Sequence, residues 1–504
     1  MSASAGAEFV IVGSGVSGLL TARDLVRAGR DVLVLERGGY LSHEQQLAEG
    51  THETDLPSAA HNDEPVPGTR PYPWKYVYGV GGTTLHWAGV SPRFLPSDFE
   101  LRSRFGVGRD WPLSYADLAP SYAEAERALG VAGGRNRFFP GTGRFPQAPH
   151  PFSPVDRLAR APLRPYFPLP QARPTRSING RPPCCASARC SLCPVNARYS
   201  ALHTLVDARL ERSPGFTLRP RTIAARLRIR AGKVTRVEAL DERGDPVTIR
   251  GRTVVLATNG MENPAILLRS GLDEPDLGRY LFDHEHRLVE IELGGPAGAG
   301  RGTTLATGIS YAYADGDFRS NRGSVIAYPS NPGASIAEAL IEEIAAGSSG
   351  TELRRRAVRR YKRTMVLDVI GEDLPRGDRF VDLSPQKDSF GLPLNRISYP
   401  PDSRYLERSL EFAYDDLPRR LRQLGAGTPR VSRPRGSAGG HMLGTCYMGE
   451  RDGIVDANLR HHRITNLYVA GGSAFPSYSA HHPTLTVAAL AIRLGRHLAD
   501  EARS

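Results

Sequence analysis

The sequence predicts an α/β protein with a Rossmann-like βαβ unit at its N-terminus and about two or three folding units in one chain. Three observations support this prediction. A glycine-rich turn joins a strand to a helix near the N-terminus, and a strand followed by a long apolar helix lies near the C-terminus. In addition, 504 residues are too many for one simple core. The two ends of the chain are therefore expected to lie in the same sheet.

The N-terminal unit is the stretch EFVIVGSGVSGLLTARDLVRAGRDVLVLERGG. Its strand, glycine turn, helix and second strand form the pattern of a Rossmann-like βαβ unit, with the spacing G-x-G-x-x-G in the turn. Gly13 permits the tight turn, Gly15 lets backbone amides approach a pyrophosphate, and Gly18 lets the helix pack closely on the strand. Glu36 ends the second strand, where a carboxylate can accept hydrogen bonds from a ribose. The motif predicts a bound dinucleotide, and its N-terminal position favours FAD.

The C-terminal stretch NLYVAGGSAFPSYSAHHPTLTVAALAIRLGRHLADE predicts a strand at 467–470, a glycine turn and, after Pro483, a long helix. The strand can complete the nucleotide-binding sheet. The N-terminal end of the helix favours negative charge and can point at the flavin ring. We therefore expect this segment to contact the cofactor through Ala470, Gly471, Pro483 and Thr484.

A second glycine turn lies in the stretch YGVGGTTLHWAGVSPRF. Glycines allow the backbone to approach a ligand closely, so this turn is suited to contact with the flavin. His86 follows the turn and is expected to lie beside the ring. The cofactor-binding residues predicted here are Gly81, Gly82, Thr83 and His86.

Two segments that carry histidines flank the closing strand: GGHMLGTCYMG contains His441, and SYSAHHPTLT contains His481 and His482. Oxidation of an alcohol needs a base that takes the hydroxyl proton while the carbon gives a hydride to the flavin, and imidazole has a suitable pKa. His481 points in a different direction from its neighbour and is predicted to be structural. A hydrogen-bonded core histidine is the alternative for His441.

Five segments together resemble the successive signatures of the glucose–methanol–choline (GMC) oxidoreductases: GVGGTTLHWAGVSPRF, VVLATNGMENPAILLRSG, GRYLFDHEHRLVE, HMLGTCYMG and HHPTLTVAALAIR. The resemblance implies a doubly wound, Rossmann-like FAD-binding domain made of residues 1–102, 177–280 and 437–504. It also implies an α+β substrate domain, residues 103–176 and 281–436, with a largely antiparallel sheet covered by helices. The predicted strands of that sheet include SVIAYPS, TMVLDVIGED, RFVDLSP and PLNRISYP.

The same resemblance implies roles for three histidines. His441 matches the catalytic histidine of the family and is expected to be the base. His482 matches a position held by a second histidine or an asparagine, and is expected to orient the substrate hydroxyl. His86 matches a position that in some sugar-oxidising members carries the flavin covalently, and in others it does not. Both alternatives stay open for this chain.

Four of the five cysteines lie within ten residues, in the loop RPPCCASARCSLCPVNARYS at 181–200. Clustered thiolates followed by a proline suit an iron–sulfur cluster, because soft sulfur ligands must converge on a small site. A zinc site, a disulfide and unliganded thiols are the alternatives. The candidate ligands are Cys184, Cys185, Cys190 and Cys193.

The cysteine loop is similar to that of FAD-dependent sugar dehydrogenases of the glucose, fructose and gluconate type within the family. This similarity implies a three-iron, four-sulfur (3Fe-4S) cluster held by three cysteines. The expected set is Cys190 and Cys193 with either Cys184 or Cys185. The last gap between cysteines is two residues here, whereas the resemblance leads us to expect three.

The leading hypothesis is an FAD-dependent dehydrogenase that oxidises a CH–OH group of a sugar, glycoside or related polyol. A cluster would pass electrons to a cytochrome or another carrier, so the partner considered is an electron-accepting cytochrome or a small partner subunit. An oxidase of an aminosugar or other secondary-metabolite alcohol, with oxygen as acceptor, is the nearest alternative. A non-catalytic flavin and iron–sulfur electron-transfer subunit is the alternative from another class, and a redox-sensing or nucleic-acid-binding cluster protein is a weaker third.

The composition argues against two classes of partner. The net charge of +12 comes from arginines spread along the chain with one dense cluster at 354–363, so nucleic-acid binding is not expected. Apolar runs are too short to span a bilayer, and no secretory signal is seen. The expected location is therefore the cytoplasm, with export by a partner subunit left open.

Overall fold

The computed structural model describes residues 5–49, 63–67, 69, 72, 74–141, 143–187, 193–298, 306–331, 336–431 and 439–503. The strands are β1 (Ala5–Val12), β2 (Val32–Leu35), β3 (Asp63–Pro65), β4 (Tyr166–Pro168), β5 (Phe216–Arg219), β6 (Ile223–Arg230), β7 (Lys233–Leu240), β8 (Pro246–Leu256), β9 (Glu285–Glu292), β10 (Gly308–Tyr313), β11 (Val325–Pro329), β12 (Thr364–Gly371), β13 (Phe380–Lys387), β14 (Pro393–Ser398), β15 (Arg430–Val431) and β16 (Leu467–Val469).

The helices are α1 (Val16–Arg27), α2 (His43–Glu49), α3 (Leu101–Phe105), α4 (Tyr115–Leu129), α5 (Pro154–Ala159), α6 (Ala201–Asp207), α7 (Glu262–Arg269), α8 (Ile336–Ala345), α9 (Gly350–Arg363), α10 (Arg404–Leu421) and α11 (Thr484–Glu501). Short 3-10 helices lie at Gly82–Leu85, Pro96–Phe99, Leu210–Arg212, Asp317–Ser320, Arg422–Leu424 and Gly472–Ala474. Among the described helices, none combines the length and the apolar character that crossing a bilayer requires.

The first sheet is the predicted nucleotide-binding sheet. Its strands lie in the order β5-β2-β1-β8-β7-β6, and β16 also pairs with β8. The contacts from β5 to β8 and those of β16 are parallel, whereas β6 and β7 form an antiparallel excursion. The prediction that the closing strand joins the N-terminal unit is confirmed, because β16 runs beside β8 and β8 runs beside β1.

The C-terminal helix α11 packs against α1 of the N-terminal unit. The Thr21 hydroxyl donates a hydrogen bond of 3.2 Å to the Ala491 carbonyl. Gly495 makes this approach close, since a Cβ atom there would lie 2.9 Å from the Cβ of Asp24. Nearly all apolar side chains of α11 are buried, so the two ends of the chain share one core.

The second sheet is antiparallel throughout, with the strand order β15-β9-β12-β11-β10-β4. Helix α10 covers it with a buried apolar stripe that includes Leu406, Leu410 and Leu417. The predicted α/β fold with a largely antiparallel substrate sheet is therefore confirmed. One detail differs from the prediction: β13 and β14 pair with β3 in a separate three-stranded sheet instead of joining the substrate sheet.

Candidate active site

A cavity of about 410 Å³ lies between the two sheets. One end is lined by the first glycine turn, the carboxyl ends of β2 and β8, and residues 82–84 and 86–88. The other end is lined by residues 440–443, the start of α11 and side chains of the substrate sheet. The carboxyl ends of parallel strands are where ligands bind in doubly wound sheets, so the cavity lies where the fold predicts a cofactor.

Two glycines of the first turn, Gly13 and Gly18, have no space for a side chain. Gly13 has a φ of +102°, and a Cβ atom there would lie 2.7 Å from the Ala257 carbonyl oxygen. A Cβ on Gly18 would overlap the carbonyl oxygen of Gly13, so Gly18 lies behind the cavity wall and lets α1 pack on the turn. Gly15 caps α1 without a side-chain hydrogen bond and lines the cavity. The first amides of α1 are thus open to an anionic group such as a pyrophosphate.

Glu36 is fixed at the end of β2 and lines the same part of the cavity. One carboxylate oxygen accepts hydrogen bonds from the Ser14 amide and hydroxyl, at 3.0 and 2.7 Å. The other accepts a bond of 2.9 Å from the Gly38 amide. Burial raises the pKa of Glu36, and these bonds oppose the increase. The oxygen that accepts from Gly38 offers a further acceptor site, so the carboxylate can still accept a hydrogen bond from a ribose hydroxyl.

The second glycine turn packs against the first. Gly81 and Gly82 have φ values of +109° and +55°, and a Cβ atom on Gly82 would lie 3.0 Å from the Gly15 Cα atom. Gly82, Thr83 and His86 line the cavity, whereas Gly81 does not. The His86 Nε2 atom is buried with no hydrogen-bond partner among the described residues. Burial lowers the pKa of His86 to about 4, so its ring is neutral beside the cavity.

The turn after β16 and the start of α11 form another wall. Gly471, Pro483 and Thr484 line the cavity. Ala470 lies behind the wall, where its amide donates a 2.7 Å hydrogen bond to the Leu256 carbonyl. Among the described residues, no side chain caps the start of α11. Because Pro483 and Thr484 line the cavity, the positive end of the helix dipole faces it. Taken together, two uncapped helix starts, a ribose-type carboxylate and close-packed glycines fit FAD.

His441 and His482 come together at the far end of the cavity. Their ring centres are 5.3 Å apart and the rings are nearly perpendicular, at 82°. Burial lowers the pKa of each ring well below the ordinary histidine value, and the neighbouring histidines lower it further. Both imidazoles are therefore neutral at neutral pH and able to accept a proton.

Two further histidines, which the sequence analysis did not single out, lie beside this pair. The Nδ1 atoms of His284 and His441 are 3.0 Å apart, and His284 Nε2 lies 2.6 Å from the Ser479 carbonyl oxygen. His286 lines the cavity, and its Nδ1 lies 3.1 Å from the Asp368 carboxylate. The run DHEH at 283–286 has the two histidines two residues apart. Because alternate residues of a strand share a face, this spacing could have indicated that their side chains lie together.

Asp368 links His286 to His482. It accepts a 2.9 Å hydrogen bond from the Tyr328 hydroxyl, which in turn lies 3.2 Å from His482 Nε2. Tyr328 pairs directly with Asp368 across β11 and β12, and His286 is a diagonal neighbour on β9. Three adjacent strands of the substrate sheet thus present polar side chains to the end of the cavity that holds His441 and His482.

His481 lies outside the cavity wall. Its Nδ1 atom is 2.7 Å from the Ser479 hydroxyl, and its ring centre is 5.2 Å from that of Tyr311. Burial lowers the pKa of His481 to about 3. The structure therefore separates the two adjacent histidines, with His482 at the cavity and His481 in the core behind it.

The comparisons with known proteins agree with this geometry. Residues 169–286 and 377–491 match sequence profiles described as GMC oxidoreductase, and residues 8–51 match one described as FAD dependent oxidoreductase. The large subunit of fructose dehydrogenase from Gluconobacter japonicus is 30% identical, with 97% of this chain and 96% of that protein covered. This chain belongs to the GMC oxidoreductase family.

Other proteins similar to this GMC oxidoreductase are named for different substrates. The 6'''-hydroxyparomomycin C oxidase of Streptomyces lividus is 32% identical over 98% of this chain and 91% of that protein. Formate oxidase from Aspergillus oryzae has a TM-score of 0.66 at 14% identity over the full length of both chains, which shows the fold alone. The chain is an FAD-dependent enzyme that oxidises CH–OH donors.

The cysteine loop of this GMC oxidoreductase is described in part, because Cys190 lies outside the described residues. Cys193 is buried and its Sγ accepts a hydrogen bond of 3.3 Å from the Ala197 amide, whereas Cys185 is exposed. Cys184 is of intermediate exposure. The three described sulfur atoms do not form a convergent ligand set. Cys446 is buried within the core and lies apart from the loop.

Residues 198 and 199, which follow Cys193, form hydrogen bonds with the cavity wall. The Arg198 guanidinium donates hydrogen bonds of 2.6 Å to the Leu85 and Trp87 carbonyls. The Trp87 indole donates a bond of 2.7 Å to the Tyr199 carbonyl. Trp87 and the adjacent His86 line the cavity, so the cysteine loop is joined to the wall on which the flavin is expected to lie.

Proposed function

We propose that the enzyme oxidises a CH–OH group of a sugar, glycoside or related polyol, with His441 as the base and His482 as the residue that orients the reacting hydroxyl. The observation that carries the proposal is the pair of neutral imidazoles at one end of the cofactor cavity, 5.3 Å apart between ring centres. When bound, FAD supplies the acceptor for the hydride of the substrate carbon.

His441 is placed to hold the proton that it takes from the substrate hydroxyl. Asp283 lies behind it, fully buried, with one carboxylate oxygen 3.8 Å from His441 Nδ1. The same oxygen accepts the His441 amide at 3.1 Å, and the other accepts the Tyr72 hydroxyl at 2.9 Å. A buried carboxylate at this distance stabilises the positive charge that develops on the imidazole.

The polar wall of the substrate sheet supports a substrate with several hydroxyl groups. Tyr328, Asp368 and His286 offer donors and acceptors beside the two catalytic candidates. An aminosugar or other secondary-metabolite alcohol with oxygen as acceptor is the second candidate, because a carboxylate in this wall, Asp368, also suits a cationic amino group. Relatives named as a fructose dehydrogenase large subunit and as a 6'''-hydroxyparomomycin C oxidase support one candidate each.

A direct test is anaerobic reduction of the flavin in the reconstituted enzyme. D-Fructose, methyl β-D-glucopyranoside and paromamine serve as probes of the two substrate classes. We expect reduction by a neutral polyol, and a loss of about 100-fold or more in the His441→Ala variant with FAD still bound. Reduction by paromamine alone would favour the second candidate, and a normal rate in His441→Ala would contradict the assignment of the base.

The route of the electrons after the flavin is a separate part of the proposal. An iron–sulfur cluster on the cysteine loop, together with a cytochrome or small partner subunit, is supported by the buried Cys193 and by the bonds from Arg198 to the cavity wall. Because the described sulfur atoms do not converge, we derive no step through a cluster. Iron and acid-labile sulfide analysis after anaerobic purification decides the matter: about three irons per flavin are expected, and their absence would make oxygen the first acceptor to test.

The attachment of FAD and the location of the protein are also proposals. A neutral, buried His86 beside the cavity suits a hydrogen bond to the flavin or a covalent bond to it. Acid precipitation separates the two, since flavin remains with the pellet only when it is covalently bound. We propose a cytoplasmic location, which fractionation of the producing cells would test.

A further inference from the structure

We propose that His284 is a positioning residue that fixes the tautomer of His441 and so presents an unprotonated Nε2 atom to the substrate. The proposal rests on the function proposed above, in which His441 is the base. It follows from two short contacts, one on each nitrogen of the His284 ring.

The first contact decides which nitrogen of His284 carries the proton. His284 Nε2 lies 2.6 Å from the Ser479 carbonyl oxygen. A carbonyl oxygen can only accept a hydrogen bond, so Nε2 must be the donor. Burial, together with the neighbouring His286, lowers the pKa of His284 to about 3. The ring is therefore neutral and holds a single N–H, which leaves Nδ1 as an acceptor.

The second contact determines which nitrogen of His441 carries the proton. The Nδ1 atoms of His284 and His441 are 3.0 Å apart, and one of them must donate. Since His284 Nδ1 has no proton, His441 donates from its own Nδ1. A neutral His441 then has its lone pair on Nε2, across the ring from the bond to His284. That nitrogen is the one available to a ligand, because His441 lines the cavity.

Asp283 holds the two histidines in the arrangement that this chain of bonds requires. Its Oδ1 atom accepts the amides of His284 and His441, at 2.8 and 3.1 Å. Without the acceptor on His284, the proton of His441 would be free to move to Nε2. The ring would then meet the substrate hydroxyl as a donor, and it could not take the hydroxyl proton.

The test compares three variants of the FAD-loaded enzyme. His284→Leu removes the acceptor, and His284→Asn restores an amide oxygen near the position of Nδ1. His481→Leu is the matched control, because that histidine is equally buried, has a similarly lowered pKa and bonds to the hydroxyl of the same Ser479. Each protein is labelled with 15N-histidine, and the NMR signals of His441 are assigned by their loss in His441→Ala.

We expect His441 to carry its proton on Nδ1 in the wild type, in His284→Asn and in His481→Leu, and on Nε2 in His284→Leu. The rate of flavin reduction should fall about 100-fold in His284→Leu, with little change in KM, and should recover largely in His284→Asn. An unchanged tautomer and rate in His284→Leu would overturn the proposal, and so would an equal loss in His481→Leu.

Two outcomes keep the test decisive. If His284→Leu does not bind FAD, then His284→Asn carries the test: wild-type tautomer and rate support the proposal, and loss of both contradicts it. If His441→Ala reduces flavin normally, the proposed base is wrong. In that case the NMR signals still show whether His284 sets the tautomer of His441, so the two failures are distinguishable.

Discussion

The Nε2 atom of His482 lies 3.2 Å from the hydroxyl oxygen of Tyr328. This contact joins the start of the C-terminal helix to a central strand of the substrate sheet. The hydroxyl of Tyr328 donates to Asp368. It therefore accepts from His482, and both catalytic candidates are held by bonds to their neighbours.

Replacing Tyr328 with phenylalanine should release His482 without removing its ring. A hydrogen bond of this kind contributes about 1 kcal/mol, so we expect the rate of flavin reduction to fall about fivefold while flavin content stays the same. Tyr313→Phe is the matched control, because that hydroxyl donates a 2.9 Å bond to Asp416 from the same sheet but outside the cavity wall. Equal effects of the two substitutions would contradict a specific role for Tyr328.

The acid limb of the reaction should lie well below pH 6.5. The base must be neutral to accept a proton, and burial holds the pKa of His441 far under its ordinary value. Activity is therefore lost only as the pH falls through that lowered pKa. In stopped-flow measurements, the rate of flavin reduction should fall only at pH values well below 6.5. A decline centred near pH 6.5 would indicate a base outside this buried cluster.

Asp368→Asn should change the titration of His286. Burial lowers the pKa of this histidine, but Asp368 and Asp283 more than offset it, and the net pKa is raised despite the opposing charge of Lys75. The nearby rings of His284, His441 and His482 have lowered pKa values and stay neutral. In the variant we expect His286 to titrate below its ordinary value. NMR of 15N-labelled histidine measures the shift, and an unchanged pKa would contradict the pairing.

The same pair should make stability depend on pH. A raised pKa in the folded state stabilises the protein below the unfolded value, near 6.5, and this stabilisation disappears as the pH rises through the raised pKa. The difference in Tm between wild type and Asp368→Asn should therefore be larger at about pH 6 than at about pH 9. A difference in Tm independent of pH would show that Asp368 acts only through neutral hydrogen bonds.

Two glycine substitutions should separate cofactor binding from folding. Gly15→Ala places a Cβ atom in open space beside the helix start, where the pyrophosphate is expected, so we predict a normal Tm of the apoprotein and weaker FAD binding. Gly18→Ala has no room and should destabilise the apoprotein by about 1 to 3 kcal/mol. Gly143→Ala, also in open space but away from the cavity, is the control. Tight FAD binding by Gly15→Ala would contradict the predicted pyrophosphate position.

The βαβ unit and the closing strand could be predicted because their signals are local. The order of strand, glycines, helix and strand between Phe9 and Glu36 predicts the first turn. The apolar strand before Gly471 has few other strands with which it could pair. His441 and His482 were found because they stand at the ends of recognisable segments. Of the predicted cofactor residues, Gly18, Gly81 and Ala470 lie behind the cavity wall. The sequence could not separate them from the lining residues, because a small residue needed for backbone packing looks the same as one that contacts the cofactor.

The functional residues that could not be predicted are those whose contacts lie far away in the sequence. His284 acts on a residue 157 positions away, and His286 pairs with Asp368 across 82 positions. Only the register of β9, β12 and β11 brings His286, Asp368 and Tyr328 to one surface. The separate sheet of β13 and β14 was missed for a similar reason: its third strand, β3, is a three-residue segment with no pattern of its own.

The pairing of β16 with β8 has a consequence for the order in which the protein matures. Residues 471–487 supply the last wall of the cavity, and they are translated after every other residue that lines it. While residues 467–501 are missing, β8 lacks one neighbour, and α1 lacks the buried helix that covers it. Domains fold as units during synthesis, but here the unit that receives FAD cannot be complete until this late segment is available. Cofactor loading is therefore a final step of assembly, and the nascent chain has to remain soluble without it.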